Sequence, residues 1–233
     1  MAAPLARPVN LPGSAEILFK PGPGRRMGLA RGDGPLAGIA DGAVWLLVES
    51  GRGELGAGEH TAAVDGRADV FAGPGWSALV APGESFSVAG ELRWVLVWRP
   101  DPLPGETTTR LIAPGEAAVE ARGAAPAART VRTYVASGSL ICGETLNPPG
   151  GWSSWPPHRH EHDELYHYRF AGADGFGVHL HDAEATLVRD GAAEYIETGY
   201  HPVVAAPATA MYYLWALAGS SPTLSPQPDP RYA

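Results

Sequence analysis

Gly75-Trp76-Ser77-Ala78-Leu79-Val80-Ala81-Pro82 is echoed further along the chain by Gly199-Tyr200-His201-Pro202-Val203-Val204-Ala205-Ala206-Pro207. A glycine, an aromatic residue, an apolar run and a closing proline recur in the same order. Each copy follows an Asp-Gly pair, Asp65-Gly66 and Asp190-Gly191. Repeats this far apart are too long for a solenoid unit and suit a duplicated small β-barrel. The apolar segments 43–48, 92–98 and 211–217 agree, being short, rich in β-branched or aromatic residues and bounded by Gly, Pro or Asp. The composition agrees too. The 233 residues include 30 Gly and 23 Pro, yet 45% are hydrophobic and only 18% charged, so tight turns and core material are both abundant. The expected class is all-β.

The Pro-rich stretch 99–105 cannot continue a central strand and is the natural connection between halves, giving an N-terminal half 1–105 and a C-terminal half 106–233. The Ala-rich stretch 121–129 reads as a second linker, and 220–233, with its prolines, as an irregular arm.

Charge and hydropathy remove several function classes. The net charge is −8 and Lys20 is the sole lysine, so no basic surface for nucleic acid is expected. No apolar run is long enough to span a bilayer and the N-terminus lacks a secretory core, so a cytoplasmic location without a membrane partner is expected. Cys142 lies in an apolar strand-like run and reads as buried filler.

Histidine carries the chemistry. Seven of 8 histidines lie in the second half. In Pro156-Pro157-His158-Arg159-His160-Glu161-His162-Asp163-Glu164, His158 and His160 are two apart, so an extended segment points both rings to one side. Glu164 follows closely, and His201 arrives from the distant Gly199-Tyr200 turn. Three imidazoles and one carboxylate suit one divalent ion among Zn, Mn, Fe, Co and Ni. The first half has Ser77 where the second has His201, and His60 sits in a polar turn-like stretch. No metal is expected there.

The spacing His158-x-His160-x-x-x-Glu164, with Gly199-Tyr200-His201 downstream, resembles the two metal motifs of the cupin superfamily, and the duplicated halves resemble a bicupin: two tandem jelly-roll barrels. The stretches Pro148-Pro149-Gly150-Gly151-Trp152-Ser153-Ser154-Trp155-Pro156-Pro157-His158-Arg159-His160, Val188-Arg189-Asp190-Gly191, Gly199-Tyr200-His201-Pro202-Val203 and Tyr212-Tyr213-Leu214 resemble more narrowly the 5-deoxy-glucuronate isomerase family of myo-inositol catabolism. The first half joins more weakly, through Asp65-Gly66-Arg67-Ala68-Asp69-Val70-Phe71 and Thr109-Arg110-Leu111-Ile112. This resemblance implies metal ligands at His158, His160, Glu164 and His201, a small-molecule sugar acid as partner, and an aldose–ketose isomerisation of a deoxy-uronic acid. The chain departs from the family in reading Tyr166-His167-Tyr168-Arg169 where Tyr-Tyr-His-Arg is usual, and in its shorter loop between His160 and Glu164.

Strand parity supplies catalytic candidates. If Glu164 points inward, so do Tyr166 and Tyr168, while His167 and Arg169 point away. His179 and His181 share one face of the next run and are candidates for acid–base work. Arg169 and Arg189 are the nearby cations considered for the substrate carboxylate. Two other classes fit the same ligands: a cupin dioxygenase, and a sugar-acid-binding protein without turnover. A homo-oligomer is left as an option that the sequence does not decide.

Overall fold

A computed structural model describes residues 11, 15–100, 107–219 and 226–232. The described chain is almost wholly β, its one helical element being a 3-10 turn at Pro114–Glu116. None of its helices is long and apolar enough to cross a membrane. It divides into two units, one running to Ala117 with Gly138–Leu140 added, the other comprising Ala118–Ser137 and the chain from Ile141 on. The division falls later than the expected 105/106 because Arg110–Ile112 pairs with Ser77–Val80 of the first unit. Of the expected connection 99–105, Arg99 still belongs to a strand, and 101–105 lie outside the described residues.

The first unit holds β1 (Glu16–Phe19), β2 (Gly28–Asp33), β3 (Leu36–Ile39), β4 (Ala43–Ala57), β5 (His60–Asp65), β6 (Ser77–Val80), β7 (Ser85–Arg99) and β8 (Arg110–Ile112) in one antiparallel sheet. Its spine is the β4–β7 pair, each strand 15 residues long. The sequence reading ended β4 near Val48, where the apolar run stops, but the backbone pairs onward through a bulge between Val48 and Ser50. Gly51 makes this continuation fit. Its φ is +98°, and a Cβ there would lie 1.9 Å from the Glu91 carbonyl oxygen. Leu46, Leu96, Trp94, Trp98 and Phe86 are buried in the core between the strands.

The second unit contains β9 (Ala118–Arg122), β10 (Arg129–Val135), β11 (Leu140–Asn147), β12 (Trp152–Ser153), β13 (His158–Arg159), β14 (Asp163–Phe170), β15 (Phe176–His181), β16 (Glu184–Arg189), β17 (Ala193–Ile196), β18 (Val203–Ala205), β19 (Met211–Ala218) and β20 (Gln227–Pro228). A six-stranded sheet, β17-β14-β19-β11-β10-β9, and a four-stranded sheet, β12-β18-β15-β16, share a core that includes Tyr166, Tyr168, Phe170, Tyr213, Trp215 and Val203. Two expectations are corrected here. The Ala-rich stretch 121–129 is a hairpin turn and not a linker, because Arg122 and Arg129 are already paired across β9 and β10. The arm 220–233 is not wholly irregular. Gln227–Pro228 pairs with His158–Arg159, and the Asp229 backbone N–H donates to the Pro157 carbonyl at 2.7 Å.

Candidate functional site

Four side chains from three separate parts of the second unit converge. His158 and His160 lie on β13 and just beyond it, Glu164 is at the start of β14, and His201 comes from the turn before β18. Potential ligand atoms of the three histidines lie within 4.8 Å of one another. Glu164 Oε2 stands 3.0 Å from His201 Nε2 and 3.7 Å from His160 Nε2.

Backbone carbonyls fix the tautomers. His158 Nδ1 donates to the Pro156 oxygen at 3.1 Å and His201 Nδ1 to the Gly199 oxygen at 2.9 Å. Carbonyl oxygens only accept, so in each neutral ring the proton sits on Nδ1 and Nε2 keeps its lone pair. At His201 that lone pair faces a carboxylate oxygen, and neither buried atom has a hydrogen-bond partner. Two electron-rich atoms in such contact require a positive charge, either a proton on the imidazole or a cation among the ligands. The nitrogen and oxygen donors fit a divalent transition ion.

Titration follows from the same geometry. Burial drives the His158 pKa down to about 4, with the neighbouring His201 charge adding to the effect. Burial lowers His160 as well, so both rings are neutral and ready to ligate near pH 7. His201 behaves oppositely. Burial opposes its protonation, but the hydrogen bond that a protonated ring would donate to Glu164, with the carboxylate charge, outweighs it and raises the pKa. Burial disfavours the Glu164 carboxylate, yet His201, His160 and His158 hold its pKa below the ordinary value.

A pocket of about 170 Å³ opens onto this cluster, lined by His158, His160, Glu164 and Tyr166, with Tyr213, Trp215 and Arg129 among the other walls. A cavity of about 150 Å³ holds a benzene-sized molecule, so this pocket has room for a small ring-sized ligand. Tyr166 Oη is 2.9 Å from Ser154 Oγ, and Ser154 has φ +50°, an uncommon backbone state for a residue with a side chain.

A family model for KduI/IolB matches residues 28–233. The chain belongs to the KduI/IolB family. Among curated relatives it is similar to a 5-deoxy-glucuronate isomerase of Geobacillus kaustophilus, at 35% identity over 54% of each chain. A second 5-deoxy-glucuronate isomerase, from Geobacillus thermodenitrificans, is 32% identical over 70% of this chain and 67% of the relative. The first of these matches thus spans about half the length of the relative. An IolB-like protein of Salmonella typhimurium superposes with a TM-score of 0.81 at 23% identity, covering 89% of both chains. A cupin 2 conserved barrel protein from Leptotrichia buccalis superposes at 0.52 and 14% identity over 88% of both, a likeness of fold alone.

Within this KduI/IolB chain the candidates separate. Tyr166 lines the pocket. Tyr168 and His179 do not, and instead bond each other, Tyr168 Oη to His179 Nδ1 at 2.7 Å, with His179 Nε2 left without a partner. His181 is drawn away from the pocket and bonds the Thr198 carbonyl, bracing the turn that delivers His201. Arg169 bonds Asp190 at 2.9 Å, on the face opposite Tyr166. Tyr213 and Trp215, which the sequence reading did not name as site residues, line the pocket because they pair with Tyr168 and Tyr166 across β14 and β19. Arg122 and Arg129, also pocket-lining, were hidden in the supposed linker. His60 is exposed and Cys142 buried, as their sequence contexts suggested. Among the described residues, no second group of three potential metal ligands occurs.

Proposed function

We propose that this chain is a metal-dependent aldose–ketose isomerase of a deoxy-uronic acid, with 5-deoxy-glucuronate, the compound in its relatives' name, as the first substrate to test. The observation that carries this reading is the cluster of three imidazoles and a carboxylate in a KduI/IolB chain, with His158, His160 and Glu164 of that cluster lining a small-molecule-sized pocket. The relatives' shared name favours isomerisation over the dioxygenase and binding-only alternatives.

His158, His160, Glu164 and His201 would hold the ion. When bound, it would polarise the substrate carbonyl and acidify the neighbouring C–H, which an aldose–ketose conversion requires. The protein contributes directed proton donors. Burial lifts the Tyr166 pKa well above that of an ordinary phenol, with Glu164 adding to the effect, so Oη keeps its proton at neutral pH. From the pocket wall, Tyr166 Oη can donate to a substrate oxygen on which negative charge develops. Tyr213 is likewise raised by burial and donates to Ser153 Oγ at 3.0 Å, which fixes its ring as a wall. His179 stays neutral, its pKa pushed to about 3 by burial, and positions Tyr168 rather than reaching the pocket itself.

Metal analysis of the purified protein, followed by turnover assays with each divalent ion, tests the reading. Chelation should abolish ketose formation from 5-deoxy-glucuronate and one of the ions should restore it. A fully metallated protein that forms no ketose with any of them would sink the isomerase assignment.

A further inference from the structure

The pocket carries an unexplained pair of charges. Arg122 on β9 and Arg129 on β10 are directly opposite each other in the antiparallel ladder, so their side chains leave the same face of the hairpin. That face is the pocket side, because Val131, two residues after Arg129, also lines the cavity. Like charges opposed across a strand pair are unfavourable unless something negative lies between or beside them. Arg122 has such a partner, bonding Glu120 through Nε at 2.8 Å. Arg129 does not. Its Nη1 donates to the Ala127 carbonyl at 2.9 Å, and no carboxylate among the described residues pairs with it. A guanidinium carries five N–H donors in a fixed fork, so most of its capacity is uncommitted. The charge is felt inside the pocket, since Arg129 acts on the buried Tyr213 phenol.

We propose that Arg129, flanked by Arg122, is the subsite that takes the carboxylate of the sugar acid while the other end of the molecule faces His158, His160 and Glu164. The placement rests on the isomerase reading for the identity of the ligand, and it extends that reading by dividing the pocket into a ligand-cluster end and an anion end. Planar two-point pairing of guanidinium with carboxylate gives orientation as well as affinity. It selects uronic acids over neutral sugars of the same size, because a neutral group would leave the Arg129 charge without a partner.

Binding of glucuronate and of uncharged glucuronamide to the metal-loaded protein, measured by calorimetry, tests the proposal. The native chain should prefer the acid by about tenfold or more, the scale of one charge-assisted hydrogen-bond pair. Arg129→Gln should erase that preference while changing the amide's affinity less than about twofold, Arg129→Lys should retain part of it, and Arg122→Gln should weaken it only slightly. Equal binding of acid and amide by the native chain, failure to bind the acid, or an unchanged preference in Arg129→Gln at native circular dichroism would overturn the proposal. Turnover of 5-deoxy-glucuronate separates the two readings. If Arg129 sets acid preference without any turnover, the isomerase reading fails and the subsite stands; if turnover occurs with native KM in Arg129→Gln, the subsite alone fails.

Discussion

At the residue scale, Glu164 and His201 hold a carboxylate oxygen and an imidazole nitrogen 3.0 Å apart in a buried place, a contact that either a proton on His201 or a bound cation would satisfy. Glu164→Gln keeps the shape and removes the charge. Its metal affinity, measured by competition with a chelating dye, should fall by more than the roughly 10–100-fold typical of groups that only support a ligand. Retention of native affinity would show that Glu164 is not a ligand. His179 offers a test by pH. Its pKa is lowered by burial from 6.5 to about 3, so as pH falls below 6.5 the unfolded chain binds a proton that the folded ring refuses. Stability from this residue is therefore fully present above pH 6.5 and is lost on acidification toward pH 3, with a limiting slope of about 1.4 kcal/mol per pH unit. Urea melts of native and His179→Gln chains across this range should converge as pH falls, and parallel curves would contradict a neutral buried His179. Subtracting the two curves cancels the titration of the other histidines.

At the element scale, two packing relations govern the pocket. Gly143 on β11 lies against the Trp215 indole of β19, and a Cβ there would sit 2.2 Å from Cζ2. Gly143→Ala should cost about 1–3 kcal/mol by overpacking and push Trp215, a pocket wall, out of place. A loss of stability in urea together with a raised KM is the expected signature. The C-terminal strand is the second relation. β20 pairs with the strand that carries His158, Asp229 fastens to Pro157, and Pro226 lines the pocket. Truncation before Pro226 should weaken metal binding while leaving the far-ultraviolet circular dichroism nearly native. Metal affinity equal to that of the full chain would show that β13 holds its shape unaided. Neither relation was visible in the sequence. A glycine in a strand and a proline-rich tail reveal their partners only when the sheet brings β11 beside β19 and β20 beside β13.

At the scale of the whole molecule, both units are β, but among the described residues only the second brings three histidines together. Ser77 is fully buried with no bond to its hydroxyl in the position equivalent to His201, so the first unit contributes no donor there. The purified chain should therefore carry one ion, and metal at a hundred times its dissociation constant should add about 2.7 kcal/mol to stability. A stoichiometry of two ions by elemental analysis, or a melting temperature unmoved by chelation, would contradict this. The sequence by itself determined the all-β class and the pairing of His158 with His160, because both rest on local signals: turn glycines, short apolar runs, and histidines spaced for one strand face. Only the tertiary structure decided which other groups join them. It left His179 and His181 off the pocket wall. It also turned a presumed linker into the hairpin that brings Arg129 to the pocket, because cross-strand register is set by long-range pairing that no local stretch of residues encodes.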